Sequence, residues 1–275
     1  MIGQAELINK IGGQIGRGKF PRFSIFIGEK GSGKKTLAKE LMFLGLGVSE
    51  IYFCDIKVDN IREVIESAYK LDEPILYVIP DCDNMSNIAA NSLLKATEEP
   101  PKNAYFVLTC ESIDNLLPTI KSRGVTYMLA PYTYEDKCDY IDTHPNRPSE
   151  EDVEFILDVA STIGDIQSCL SQNIREFRDY VNLVIYNIAE VSDSNAFKIG
   201  DKIAFKDEKG KYDLRLFWKA FSTICVDLMT KSDDSLKYAR AIAITGDYSQ
   251  QLYIKGINKS MLFDQWIVAI REEWL

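Results

Sequence analysis

The strongest constraint on this chain lies between residues 23 and 44. The run Phe23-Ser24-Ile25-Phe26-Ile27-Gly28 is short, apolar and closed by glycine; Glu29-Lys30-Gly31-Ser32-Gly33-Lys34 follows, and the spacing then turns helical over residues 35 to 44. Strand, glycine-rich loop and helix in that order make a phosphate cradle. Gly28, Gly31 and Gly33 let consecutive backbone N–H groups, Ser32 among them, curl around phosphate oxygens, while the helix start adds its dipole and Lys34 a point charge.

Two positions depart from the P-loop pattern of ATPases. The residue after Lys34 should carry a hydroxyl for Mg²⁺, but it is Lys35, and a cation cannot ligate a cation. Thr36 points about 100° further round the helix and substitutes poorly. In the third apolar run, Leu76-Tyr77-Val78-Ile79, the place of a metal-binding Asp is taken by Pro80. Asp81 and Asp83 stand nearby, either as weak metal ligands or as solvated strand-end residues. The loop, with Lys35 and Thr36 at its edge, is expected to take ATP or ADP, and Mg²⁺ is not expected to be held.

The alternation continues downstream. Extended runs are expected at Ile51–Cys54, Ile75–Ile79, Tyr105–Thr109 and Val125–Leu129, with helices at Val58–Tyr69, Ser86–Glu98 and Ser112–Ser122. Ile61, Val64, Ile65 and Ala68 share one helical face. Five strands with helices between them predict an α/β domain with a parallel sheet over residues 1–130. Beyond Pro131 the polar run Thr143 to Asp152, with Pro145 and Pro148, reads as a loop. Residues 151–173 predict two short helices broken at Gly164-Asp165, and 174–190 a longer one. A turn-rich stretch at 200–211 precedes helices near 213–231, 234–244 and 260–273. The expected division is therefore 1–130, a small helical domain at 131–177 and a helical domain at 178–275.

A formal net charge of -9 argues against a protein that coats nucleic acid unaided, since phosphate contact needs excess Lys and Arg on one face. Lys10, Arg17, Lys19 and Arg22 form the densest early basic stretch and read as solvated surface. No apolar run of about 18 residues could cross a bilayer, so no membrane partner and a cytoplasmic location are expected. Six cysteines occur singly, without a C-x-x-C pair, which predicts reduced thiols and no zinc.

The segment Asp81-Cys82-Asp83-Asn84-Met85-Ser86, then Ala89-Ala90-Asn91-Ser92-Leu93-Leu94-Lys95-Ala96-Thr97-Glu98-Glu99-Pro100-Pro101 and Leu117-Pro118-Thr119-Ile120-Lys121-Ser122-Arg123, resembles clamp-loader AAA+ subunits. Ile2-Gly3-Gln4 and Asp59-Asn60-Ile61-Arg62-Glu63 are similar to the same family, so the likeness covers residues 1–130. It implies a P-loop AAA+ domain followed by a helical lid and a collar domain that holds a ring of subunits. In that family the arginine of a Ser-Arg-Cys motif reaches a neighbour's ATP. Ser122-Arg123-Gly124 matches save for its last residue, which implies that Arg123 acts in trans.

Other implied positions are weaker. Thr109 matches a first sensor at the end of the fourth strand. Gly164-Asp165-Ile166-Gln167 sits where the family has a Gly-x-x-Arg sensor, and Gln167 cannot supply that charge. The four-cysteine zinc module of many members is missing, as residues 43–57 hold only Cys54. Lys35, Pro80 and Gln167 degrade the chain's own site while Arg123 is kept, which is the asymmetry of the delta-prime type against ATP-hydrolysing gamma/tau subunits. The implied partners are gamma/tau-like ATPase subunits, a delta-like subunit, a sliding clamp and primer-template DNA. Two other readings stay open: an active ATPase in which Asp81 and Thr36 rescue metal binding, and a nucleotide-binding scaffold without hydrolysis. Phe217, Trp218, Phe221, Trp266 and Trp274 serve either collar contacts or an internal core.

Overall fold

The computed structural model describes residues 1–145, 147–188, 203–204, 211–254 and 256–274. Most of the stretch at 200–211 therefore lies outside the described residues. β1 (Phe23–Ile27) is buried along its whole length, as a parallel strand covered on both faces must be. It lies between β4 (Ala104–Cys110) and β5 (Val125–Met128), in a five-stranded sheet of order β2-β3-β4-β1-β5 with β2 at Glu50–Phe53 and β3 at Ile75–Ile79. Every pairing is parallel. The α/β expectation is met.

Side chains alternate between two cores. Phe23, Ile25 and Ile27, with Tyr77, Ile79, Phe106 and Leu108, meet α3 (Val58–Ala68), α4 (Asn87–Ser92), α5 (Leu94–Glu98) and α6 (Pro118–Lys121). Phe26, Leu76, Val78 and Val107 meet α1 (Ala5–Gly16) and α2 (Lys34–Phe43). The expected face of α3 is buried at all four positions, Ile61, Val64, Ile65 and Ala68.

Several boundaries differ from expectation. The helix expected at Ser86–Glu98 is two short ones meeting at Leu93, the first capped by the Ser86 hydroxyl, which accepts from the Ala89 N–H. The helix expected at Ser112–Ser122 shrinks to a 3-10 turn at Ile113–Asn115 and α6. Leu116 and Leu117 are extended (ψ 151 and 138), Leu117 because the ring of Pro118 disfavours helical backbone at the residue before it. Of the basic stretch only Lys10 lies in α1; Arg17 is its C-cap, and Lys19 and Arg22 follow it.

By internal contacts the chain divides into two compact units, Met1–Tyr140 with Thr162–Gly164, and Ile141–Ser161 with Asp165–Leu275. Among the described residues the second unit is helical apart from β6 (Ile203–Ala204), β7 (Tyr212–Asp213) and the connecting turns. α7 (Tyr134–Asp142) and α9 (Ile163–Leu170) run across the division, whereas α8 (Glu150–Val159), α10 (Ile174–Asn187), α11 (Leu214–Lys231), α12 (Ser235–Gln251) and α13 (Lys259–Trp274) lie within it. The loop expected through Asp152 ends at Ser149, whose hydroxyl accepts from the Asp152 N–H and starts α8. The break expected at Gly164-Asp165 instead falls at 160–162, and both residues open α9.

Phe217, Trp218, Phe221 and Trp266 are wholly or almost wholly buried, so they form an internal core. Trp274 is half-buried and stacks on Phe221. Within this core the Trp266 indole N–H donates to the Thr245 hydroxyl (2.9 Å), which itself donates to the Ala241 carbonyl (2.7 Å). Replacing Thr245 by valine keeps the shape but leaves the indole N–H unsatisfied. We expect a loss of about 1–3 kcal/mol in urea unfolding, and an unchanged midpoint would show that the bond contributes nothing.

Candidate functional site

The carboxyl ends of parallel strands are where open α/β sheets place ligand loops, and here β1, β3 and β4 deliver Gly28–Lys34, Asp81 and Thr109 to the same edge. Gly28 N–H donates to the Cys110 carbonyl (3.2 Å), which sets the loop beside β4. Gly31 and Gly33 take φ of +86° and +90°, the left-handed region that L side chains avoid. Gly33 is the N-cap of α2, with the Met1 side chain and the Tyr132 hydroxyl close above its Cα. Tyr132 donates to the Ser32 carbonyl (2.8 Å). Gly31 faces Gly164: a Cβ on Gly31 would lie 2.9 Å from the Gly164 Cα, and the Gly164 N–H donates to the Gly31 carbonyl (3.0 Å).

Lys34 is buried, and its ammonium donates to the carbonyls of Gly28 (2.5 Å) and Glu29 (2.8 Å). Burial lowers its pKa from the ordinary lysine range, opposed by the charges of Glu111, Asp81 and Asp83. Glu111, the residue after β4, was not singled out by sequence reasoning; an acid one place beyond a strand beside the loop is the signal that points to it. The Ser32 hydroxyl is buried and finds no hydrogen-bond partner among the described residues.

Asp81 takes φ +54°, a left-handed conformation that Asp tolerates better than most residues. Its N–H donates to the Thr109 hydroxyl (3.3 Å), and Oδ2 lies 3.6 Å from Lys35 Nζ. Asp83 is buried, with Oδ2 accepting from the Glu111 N–H (3.0 Å). Thr36 is exposed. Mg²⁺ does not fit this donor set. Lys35 stands in the hydroxyl's place, Pro80 in the carboxylate's, and the neighbouring acid is paired with Lys35. Among the described residues no group of three or more His, Cys, Asp or Glu side chains could hold a metal ion.

Arg123 lies elsewhere, just past α6. Its Nη1 donates to the Thr119 carbonyl (2.9 Å) and Nη2 to Glu98 Oε1 (2.7 Å), with both side chains partly exposed. Glu98 is a second residue that sequence reasoning did not assign. Gly124, where the family motif has cysteine, has no room for a Cβ, which would lie 2.5 Å from Ile25 Cδ1. Gln167, in the second unit, is exposed on α9.

The family model for the DNA polymerase III, delta subunit, matches residues 49–133, which run from β2 through Arg123. A DNA polymerase III subunit delta' of Buchnera aphidicola (strain Bp) is 24% identical over 77% of this chain and 62% of its own length. A subunit gamma from the same species (strain Sg) is 24% identical over 66% of this chain and 60% of its own. The matched family and both relatives are clamp-loader polymerase subunits by name, and this chain is similar to them. It spans less than two thirds of the length of each of these curated relatives. A gamma subunit-related protein of Thermotoga maritima superposes over 97% of this chain and 99% of its own with a TM-score of 0.57 at 17% identity, a likeness of fold. The five-stranded parallel sheet with helices before and after it is the architecture expected of this family. Among the described residues no helix is long and apolar enough to cross a membrane.

Proposed function

We propose that this chain is a clamp-loader subunit, a delta-prime-like stator, which donates Arg123 to a neighbouring subunit's ATP and takes nucleotide in its own loop without hydrolysing it. The observation that carries the reading is the placement of Arg123. Its guanidinium stands just past the end of α6 against a half-exposed carboxylate, which supports an exchange of that carboxylate for a phosphate of another chain. A guanidinium there stabilises transition-state charge and so helps a partner, not its owner. The pairing of Lys35 with Asp81 supports the loss of hydrolysis, since it engages the acid that a rescue of metal binding would need.

In this reading the chain works in the cytoplasm with gamma/tau-like ATPase subunits and a delta-like subunit, opening a sliding clamp and placing it on primer-template DNA. Residues 1–130 carry the loop and Arg123, 131–177 act as the lid, and the helices after 178 hold the ring as a collar.

The purified chain with Mg-ATP is expected to release no phosphate over hours beyond what Lys34→Ala releases. Turnover that disappears in Lys34→Ala would sink the stator reading and make the protein a motor.

A further inference from the structure

We propose that the loop of this chain holds a nucleoside di- or triphosphate without a divalent cation, the Lys35 ammonium standing in for the metal between Asp81 and the phosphates. The proposal deepens the reading above and rests on it for the loop's taking nucleotide at all.

In P-loop ATPases one metal ion joins three things: the hydroxyl after the loop lysine, an acid at the end of the third strand, and phosphate oxygens. Here both protein ligands are altered, and the alterations complement each other. An ammonium stands in the hydroxyl's place at Lys35, and the nearest acid is Asp81, one place beyond Pro80. The backbone fixes where that acid points: Asp81 sits at φ +54°, its N–H held by the Thr109 hydroxyl, and its carboxylate comes to 3.6 Å from Lys35 Nζ. The two side chains remain about half exposed (54% and 55%), so the ammonium keeps donors for a further anion.

Charge favours the same arrangement. A loop lysine with one Mg²⁺ brings three positive charges to the phosphates; Lys34 and Lys35 supply two at the loop with no metal. A divalent ion placed beside Lys35 would meet like charge at close range, which disfavours it. An ammonium, unlike Mg²⁺, demands no octahedral set of oxygen ligands, and the ligands for such a set are what this loop has lost.

The test is calorimetric titration of the full chain with ATP and ADP, in EDTA and in excess MgCl₂, with AMP as the control that lacks a β-phosphate. The expected result is binding of ATP and ADP in EDTA at an affinity equal to or higher than that in MgCl₂, and none of AMP. Lys35→Ala is expected to lose at least about tenfold in EDTA, the contribution of one charge-assisted bond, with no recovery in MgCl₂. Lys35→Arg is expected to keep metal-free binding. Because Lys35 is half exposed, both variants should melt with the parent. The proposal is overturned if the parent chain needs MgCl₂ to bind, if it binds neither nucleotide, or if Lys35→Ala binds like the parent in EDTA. Those outcomes differ from failure of the stator reading, which shows as Lys34-dependent phosphate release.

Discussion

Replacing Arg123 with alanine is expected to leave the chain folded and, on the proposed trans role, to lower a partner's ATP turnover by about 10³-fold, the lower end of what such an arginine supplies. The folded state hardly depends on this residue. Its bond to Glu98 joins two partly exposed side chains, and a pair of that kind contributes at most about 1 kcal/mol. A lysine in its place would restore charge but not the planar fork that meets phosphate oxygens, so Arg123→Lys should recover little. The measurement is steady-state hydrolysis by a gamma-type subunit assembled with parent or variant chain, with assembly checked by size-exclusion chromatography. Equal turnover in equally assembled complexes would remove Arg123 from any trans role.

The second large effect is one of stability. Asp165, whose side chain is 2% exposed, accepts from Arg215 Nη2 (2.5 Å), Lys219 Nζ (3.0 Å) and the Ser161 N–H (3.1 Å). These bonds tie the start of α9 to α11 inside the helical unit. Replacing Asp165 by alanine removes the carboxylate these contacts share and leaves two cations facing each other in a desolvated place. Breaking a buried pair in this way costs about 3–5 kcal/mol. Asp165→Asn, which still accepts hydrogen bonds, should lose less. Urea unfolding of both variants decides it. A loss below about 1 kcal/mol for Asp165→Ala would mean that water reaches the cluster and screens it.

Much of the first unit was legible from its residues, because strands buried on both faces leave uninterrupted apolar runs and α3 buries a regular face. The failures have local causes. α1 carries Leu7, Ile8, Ile11 and Ile15 at helical spacing, but Gly12-Gly13 inside it and Gly16 at its end read as helix breakers and hide it. The break at Leu93 leaves the periodicity of Ser86–Glu98 intact and therefore invisible. Gly164 reads as a helix breaker, yet it opens α9, where its lack of a side chain admits Gly31. At the site, the loop residues announce themselves by spacing within seven positions. The pairing of Lys35 with Asp81 and the hold of Glu98 on Arg123 join residues far apart in the chain, and one sequence carries no sign of such meetings; for Glu111 near Lys34 the only sign is its place just past a strand.

The contact between Gly31 and Gly164 restricts how this protein can change. A Cβ on Gly164 would fall 2.4 Å from the Gly31 Cα, and one on Gly31 would fall 2.9 Å from the Gly164 Cα. Backbone meets backbone there, so no rotamer of a flexible side chain can relieve the overlap. Each glycine thus forbids even a single methyl group on the other. Sequence drift at either position is blocked until the chain has first moved apart, and that separation would have to come from changes elsewhere.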